Sequence, residues 1–235
     1  MKKIIDTSAE RRRLLLQSAA AAGSLMIAPA FGANDTAPTT ANEDLMREHG
    51  VLRRALMVYR HCAQQLHQDR PQGLAKALNQ TAQLFRRFGE DYHERAIEEK
   101  YIFPMLQNAK PPISRYPALL TEQHRQGRKV TDYVMNTTRK GSIGSGDVKP
   151  LAATLDAFTL MYSHHANRED TEVFVAWKKS LPKEKYDELG HTFETVEQRE
   201  VGDDGFEDAV KTISGIEQQL GIAALGKFTV KKIPA

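Results

Sequence analysis

The chain has 235 residues, 40% of them apolar, which suffices for one domain with accessories or two small domains; Ala, Leu, Gln, Glu, Lys and Arg are abundant, and that composition favours helices. The net charge of +3 resides in the first thirty residues, where Lys2, Lys3, Arg11, Arg12 and Arg13 face Asp6 and Glu10; the remainder holds 28 basic and 28 acidic side chains, a neutral body that excludes a nucleic-acid partner. Cys62 is the single cysteine, which excludes an internal disulfide framework and the thiolate clusters that hold zinc or iron–sulfur centres.

In chain order, the basic stretch Arg11-Arg12-Arg13 precedes Leu14-Leu15-Leu16, an Ala-rich apolar run and the small residues around Ala28-Pro29-Ala30. That order reads as a secretory signal over residues 1–33, cut after Ala30 or Ala33. The paired arginines before Leu14-Leu15 resemble a twin-arginine signal, which implies export of a folded protein to the periplasm. Gln17, Ser18, Gly23 and Ser24 interrupt the apolar run, so no stable membrane span is expected after processing. Residues 34–41 read as a polar linker.

A first amphipathic helix is expected from Asn42 to about His67, with Leu45, Met46, Val51, Leu52, Leu56 and Tyr59 at three- and four-residue intervals. After the turn Arg70-Pro71-Gln72-Gly73, a second runs from Leu74 to Phe103-Pro104, and Lys110-Pro111-Pro112 ends it. A third spans about Tyr116–Arg139, a Gly/Ser loop covers residues 141–146, and a fourth spans about Val148–Lys179. Each would be nearly 40 Å long at roughly 1.5 Å per residue. The expected fold is all-α: an up-down-up-down antiparallel four-helix bundle over residues 42–180, with a helical extension over 181–235 packing against it.

Mid-helix positions carry His49, His93, His124 and the His164/His165 pair, and antiparallel rods of similar length would bring them to one level. A recurring pattern adds carboxylates: His93-x4-Glu98-Glu99-x-x-Ile102-Phe103 and His164-x4-Glu169-Asp170-x-x-Val173-Phe174. Glu98 and Glu169 can each bridge two cations while imidazoles fill terminal positions, and such a mixed nitrogen and oxygen set suits iron, manganese or zinc. The His165–Glu169 step of four residues keeps both side chains on one helix face. The His93–Glu98 step of five does not in an α-helix, so local π-type widening is expected near residues 93–98; otherwise Glu94, four before Glu98, contributes to the face.

These segments, with Leu45-Met46-Arg47-Glu48-His49-Gly50 and Glu122-Gln123-His124, resemble the hemerythrin-like (HHE cation-binding) family over roughly residues 42–178. The resemblance implies a di-iron centre bridged by carboxylates, with one position open for dioxygen. Carried over by motif, its ligands are His49, His93, Glu98, His124, His165 and Glu169, with His164 as the alternative to His165 and Glu94 in reserve. Two departures stand out. Oxygen-carrying members place a second His four residues after the one at His124, where this chain has Arg128, and the His93–Glu98 step is one residue longer than usual.

The resulting expectation is an exported di-iron protein that binds dioxygen, with redox handling of peroxide, nitric oxide or ferrous iron as one alternative and a metal-free helical interaction module as another. A ferritin-like carboxylate enzyme would need Glu-x-x-His on two helices, and only Glu90-x-x-His93 fits. No Gly-x-Ser-x-Gly elbow marks a hydrolase, and the Gly-rich loop lacks the Lys-Ser/Thr of a phosphate loop. His61, His67 and His191 read as surface or packing residues.

Overall fold

The structure, a computed structural model, describes residues 39–231. The expected signal and residues 34–38 of the expected linker lie outside the described residues. Within them the chain is all-helical and has no strand.

Helix α1 (Ala41–His67) starts at a capping box: Glu43 N donates to Thr40 Oγ1, and the Glu43 carboxylate accepts from Thr40 N. Two of the helix's first free N–H groups are thereby satisfied. Gly73, at φ +75°, turns the chain into α2 (Leu74–Leu84), a conformation a residue without Cβ adopts freely. A π-helical segment (Phe85–Ile102) and α3 (Phe103–Leu106) continue α2 without a break. Then come α4 (Tyr116–Thr138) and α5 (Val148–Arg168), the latter prolonged by a second π-helical segment (Glu169–Val173) and α6 (Phe174–Lys179). The expected spans agree with these to within a residue or two, except that the second continues to Leu106.

Helix α1 packs chiefly along α5, and α2 along α4. Leu52, Leu56, Tyr59, Leu78, Phe85, Leu155 and Phe158 form the apolar interior, with Tyr59 stacked on Phe85 at 5.6 Å. Two further helices, α7 (Lys183–Glu200) and α8 (Gly205–Gln219), lie against this body: α7 on α1 and the first π segment, α8 on α1 and α2. Trp177 of α6 is fully buried between Tyr186 and Phe193 of α7, at ring separations of 5.4 and 5.6 Å. The Tyr186 hydroxyl accepts from Asn42 N and donates to Asn42 Oδ1, and Asn42 Nδ2 donates to Phe174 O, so one asparagine ties the starts of α1, α6 and α7 together. No helix among the described residues is long and apolar enough to cross a membrane.

Candidate metal centre

Four buried imidazoles converge between the long helices: His49 from α1, His93 from the first π segment, His124 from α4 and His165 from α5. They meet as two pairs. Nε2 of His49 lies 3.0 Å from Nε2 of His93, and Nε2 of His124 lies 3.1 Å from Nε2 of His165. Two buried carboxylates connect the pairs. Glu98 places Oε1 3.3 Å from His93 Nε2 and Oε2 3.3 Å from His124 Nε2. Glu169 Oε2 lies 3.0 Å from His165 Nε2 and 3.5 Å from His49 Nε2. Donor atoms of Glu98, His124, His165 and Glu169 all fall within 4.8 Å of one another, and so do those of His49, His93 and Glu98. Glu98 belongs to both groups.

The backbone explains how unequal spacings reach one point. His93 and Glu98, five apart, both lie in the first π segment, whose i→i+5 hydrogen bonding brings every fifth residue onto one side. The widening expected at residues 93–98 is present and extends over the whole of Phe85–Ile102. His165 and Glu169, four apart, need only ordinary α-helix between them, and the second π segment begins at Glu169 itself.

Each imidazole is held from behind. Nδ1–H of His49 donates to Asp170 at 2.6 Å, that of His93 to Glu48 at 2.5 Å, that of His124 to Glu99 at 2.8 Å and that of His165 to Gln123 Oε1 at 3.0 Å. With Nδ1 protonated, the Nε2 lone pair faces inward, the tautomer a metal-binding histidine requires. Arg53 clamps Asp170 and Arg128 clamps Glu99. Phe174 stacks on His49 at 5.5 Å and Phe103 on His124, also at 5.5 Å. The recurring Glu-acid-x-x-aliphatic-Phe pattern thus has one meaning in both copies. The glutamate enters the centre, the next acid fixes an imidazole of another helix, and the phenylalanine packs on that same imidazole.

The electrostatics of the cluster are those of a cation site. No oxygen of Glu98 or Glu169 receives a well-aligned hydrogen bond, although all four are inaccessible to water. Buried carboxylates without donors are costly unless a cation compensates them. Burial disfavours both anions, yet neighbouring imidazoles hold the Glu98 and Glu169 carboxyls below the usual carboxylate range. Burial likewise works against the imidazoliums of His93 and His124, and the surrounding glutamates overcome it, raising both well above the ordinary histidine value. Facing nitrogens 3.0 Å apart can share at most one proton, whereas a divalent cation serves both lone pairs. The donor set of imidazole nitrogen and carboxylate oxygen therefore fits divalent transition-metal ions.

Among the remaining candidates, His164 is exposed and points away from the cluster, so His165 is the imidazole that α5 contributes. Glu94 is buried but lies behind His124. Its Oε2 is 4.0 Å from His124 Nδ1 and accepts from Arg128, and its Oε1 accepts from the Tyr162 hydroxyl at 3.2 Å. Glu94, Glu99 and His124 Nδ1 also converge, but Arg128 already supplies their positive charge. His67 pairs with Asp156 at an exposed position, and His191 is exposed. Sequence reasoning missed Glu48, Arg53 and Gln123 as supports. A signal for them exists: Glu48-His49-x3-Arg53 in α1 recurs as Gln123-His124-x3-Arg128 in α4.

Residues 40–177 match the hemerythrin HHE cation binding domain family. The chain is also 39% identical over 243 residues to uncharacterized proteins of Mycobacterium bovis and Mycobacterium tuberculosis, covering 97% of this chain and 94% of theirs. No solved structure matches it significantly. A family match across more than half of the chain, on the residues that build the buried His/Glu cluster, shows that the chain belongs to the hemerythrin HHE cation-binding family.

Proposed function

We propose that the cluster holds two iron ions and that the protein binds dioxygen there, for storage, transport or sensing. The single observation that carries this reading is the doubled geometry: two facing imidazole pairs, each beside both bridging carboxylates. His49 and His93 would hold one ion, His124 and His165 the other, and Glu98 and Glu169 would join them. Iron supplies a redox-active coordination position open to a small diatomic molecule. The chain's own part is to fix four imidazoles in the ligating tautomer, keep bulk water from the buried pocket and supply neutralising anions. Zinc or manganese would satisfy the same donors.

In this reading the long helices run up-down-up-down as the bundle over residues 42–180, and the described part of residues 181–235 extends it. Export to the periplasm by a twin-arginine route rests on residues 1–33 and suits a protein that takes its metal before leaving the cytosol. The test of function is metal analysis of protein purified without air, followed by visible spectra on adding oxygen. A reversible charge-transfer band at two irons per chain is the expected result. Protein that carries no metal when produced in iron-rich medium is instead a helical interaction module.

One observation favours a second reading, redox turnover of peroxide, nitric oxide or ferrous iron. The Tyr92 hydroxyl donates to Glu48 at 2.5 Å, and Glu48 accepts from His93, so a buried phenol stands one carboxylate away from a ligating imidazole. Irreversible bleaching of the optical band on exposure to oxygen or peroxide would favour it.

A further inference from the structure

The two halves of the centre are built alike except at one position. Glu48-His49-x3-Arg53 and Gln123-His124-x3-Arg128 place His49 and His124 in corresponding roles, each fixed through Nδ1 by an acid that an arginine clamps. The residue before each of these histidines reaches across to another helix and backs the opposite imidazole. Glu48 Oε2 accepts from His93 Nδ1 at 2.5 Å, whereas Gln123 Oε1 accepts from His165 Nδ1 at 3.0 Å. Only an oxygen can accept there, because His165 Nε2 must keep its lone pair for the centre, and that fixes the orientation of the Gln123 amide. Both imidazoles near the Glu48 side are thus backed by carboxylates, and only one of the two near the Gln123 side is. Glu94 does not make up the difference: it faces His124, with Arg128 and Tyr162 as its partners.

A carboxylate behind a ligating imidazole raises its basicity, and losing such a partner typically lowers metal affinity about 10–100-fold. We propose that the two cation positions are inequivalent and fill in order, the His49/His93 position before the His124/His165 position, because Glu48 backs one imidazole where Gln123 backs its counterpart. Gln123 is then a positioning residue that holds the second ion more loosely. This inference rests on the two-metal reading above, which supplies the two positions.

The test is an anaerobic titration of the metal-free full chain with Co2+, followed by calorimetry and by the visible spectrum of each added ion. Two ions should bind in steps separated by about tenfold or more in affinity. Gln123→Glu should strengthen the weaker step by about tenfold, narrow the gap and shift the spectrum of the second ion, leaving the first unchanged. Glu48→Gln should weaken the stronger step by a similar factor, with the helical circular dichroism of the wild type. Two ions bound with equal affinity in the wild type overturn the ordering while leaving the two-metal centre standing, as does a Gln123→Glu variant whose weaker step is unmoved. A wild-type chain that takes up no second ion overturns the two-metal reading, and the ordering with it.

Discussion

Asp170 accepts the Nδ1 proton of His49 at 2.6 Å while its other oxygen is clamped by Arg53, so a side chain outside the donor set decides which nitrogen of His49 faces the pocket. Neutralising that carboxylate leaves the imidazole in place but weakens its orientation and its basicity. Asp170→Asn is therefore expected to lower metal affinity about 10–100-fold while retaining two-ion stoichiometry at saturation. Glu99→Gln, behind His124, should do the same. Competition against a chelator of known affinity measures both, and unchanged affinity in the two variants would remove the outer carboxylates from the account.

Substitution of a donor itself should be harsher. Glu98 reaches both imidazole pairs, so Glu98→Ala removes a shared ligand and is expected to reduce bound iron below one ion per chain. His49→Ala removes an end of one pair and should also cut iron sharply. His67 pairs with Asp156 on the exposed surface, and His67→Ala should keep the wild-type iron content. Elemental analysis of the three purified variants checks the assignment; equal iron in all of them would sink it.

Much of this could be read from the residues alone, for identifiable reasons. Helix limits followed from apolar periodicity and from Pro111-Pro112, Gly73 and the Gly/Ser loop, because breakers and amphipathic faces are local properties. His49, His93 and His124 were legible because each falls well inside a long helix, where antiparallel rods of similar length meet at one level, and because carboxylates recur at fixed spacing near them. The choice between His164 and His165 was not, since adjacent residues differ by about 100° around the axis and the helix register decides which faces inward. The π-helical stretch was legible only at the five-residue step from His93 to Glu98; its extension back to Phe85 left no comparable mark. Glu94 carries the right chemistry at a plausible spacing, but Arg128 draws it behind His124. Glu48 and Gln123 escaped notice because their role depends on which helix stands opposite, and that is a tertiary relationship.

Metal should also stabilise the fold, because the donors come from separate helical stretches and a bound ion favours only the folded state. At free metal about a hundredfold above its dissociation constant, the gain is about 2.7 kcal/mol for one site. Chelation is therefore expected to lower the melting temperature by several degrees, and restoring Fe2+ or Zn2+ should recover it. Differential scanning calorimetry before and after dialysis measures this, and identical melting curves would mean that the cluster holds no ion.

Trp177 joins the C-terminal helices to the rest of the protein. It is fully buried and stacked on Phe193, so Trp177→Ala leaves a large cavity where α6 meets α7. The expected cost is about 3–5 kcal/mol, read from denaturant unfolding. Gly205 opens α8 where an added Cβ would run into Val201, and Gly205→Ala should destabilise by about 1–3 kcal/mol through overpacking. A loss below half a kcal/mol in either variant would show that α7 and α8 are only loosely attached.

The same junction carries a pH dependence. Glu197 of α7 accepts a hydrogen bond from Phe206 N at 2.8 Å, at the start of α8. Burial, reinforced by the nearby charge of Glu48, pushes its carboxyl up from the ordinary 4.5 to about 7, against the lowering effect of that hydrogen bond. A carboxyl with a raised folded-state pKa keeps its proton longer in the native than in the unfolded chain. Its contribution to stability is therefore fully present below about pH 4.5, declines as pH rises, and is lost above about pH 7. Glu197→Gln retains an acceptor for Phe206 N and removes the charge. The variant should melt with the wild type at pH 4 and above it at pH 8, the difference opening between those two pKa values. Equal melting temperatures of variant and wild type at both pH values would show that Glu197 ionises alike in the folded and unfolded chain, so that the α7–α8 junction takes no pH dependence from it.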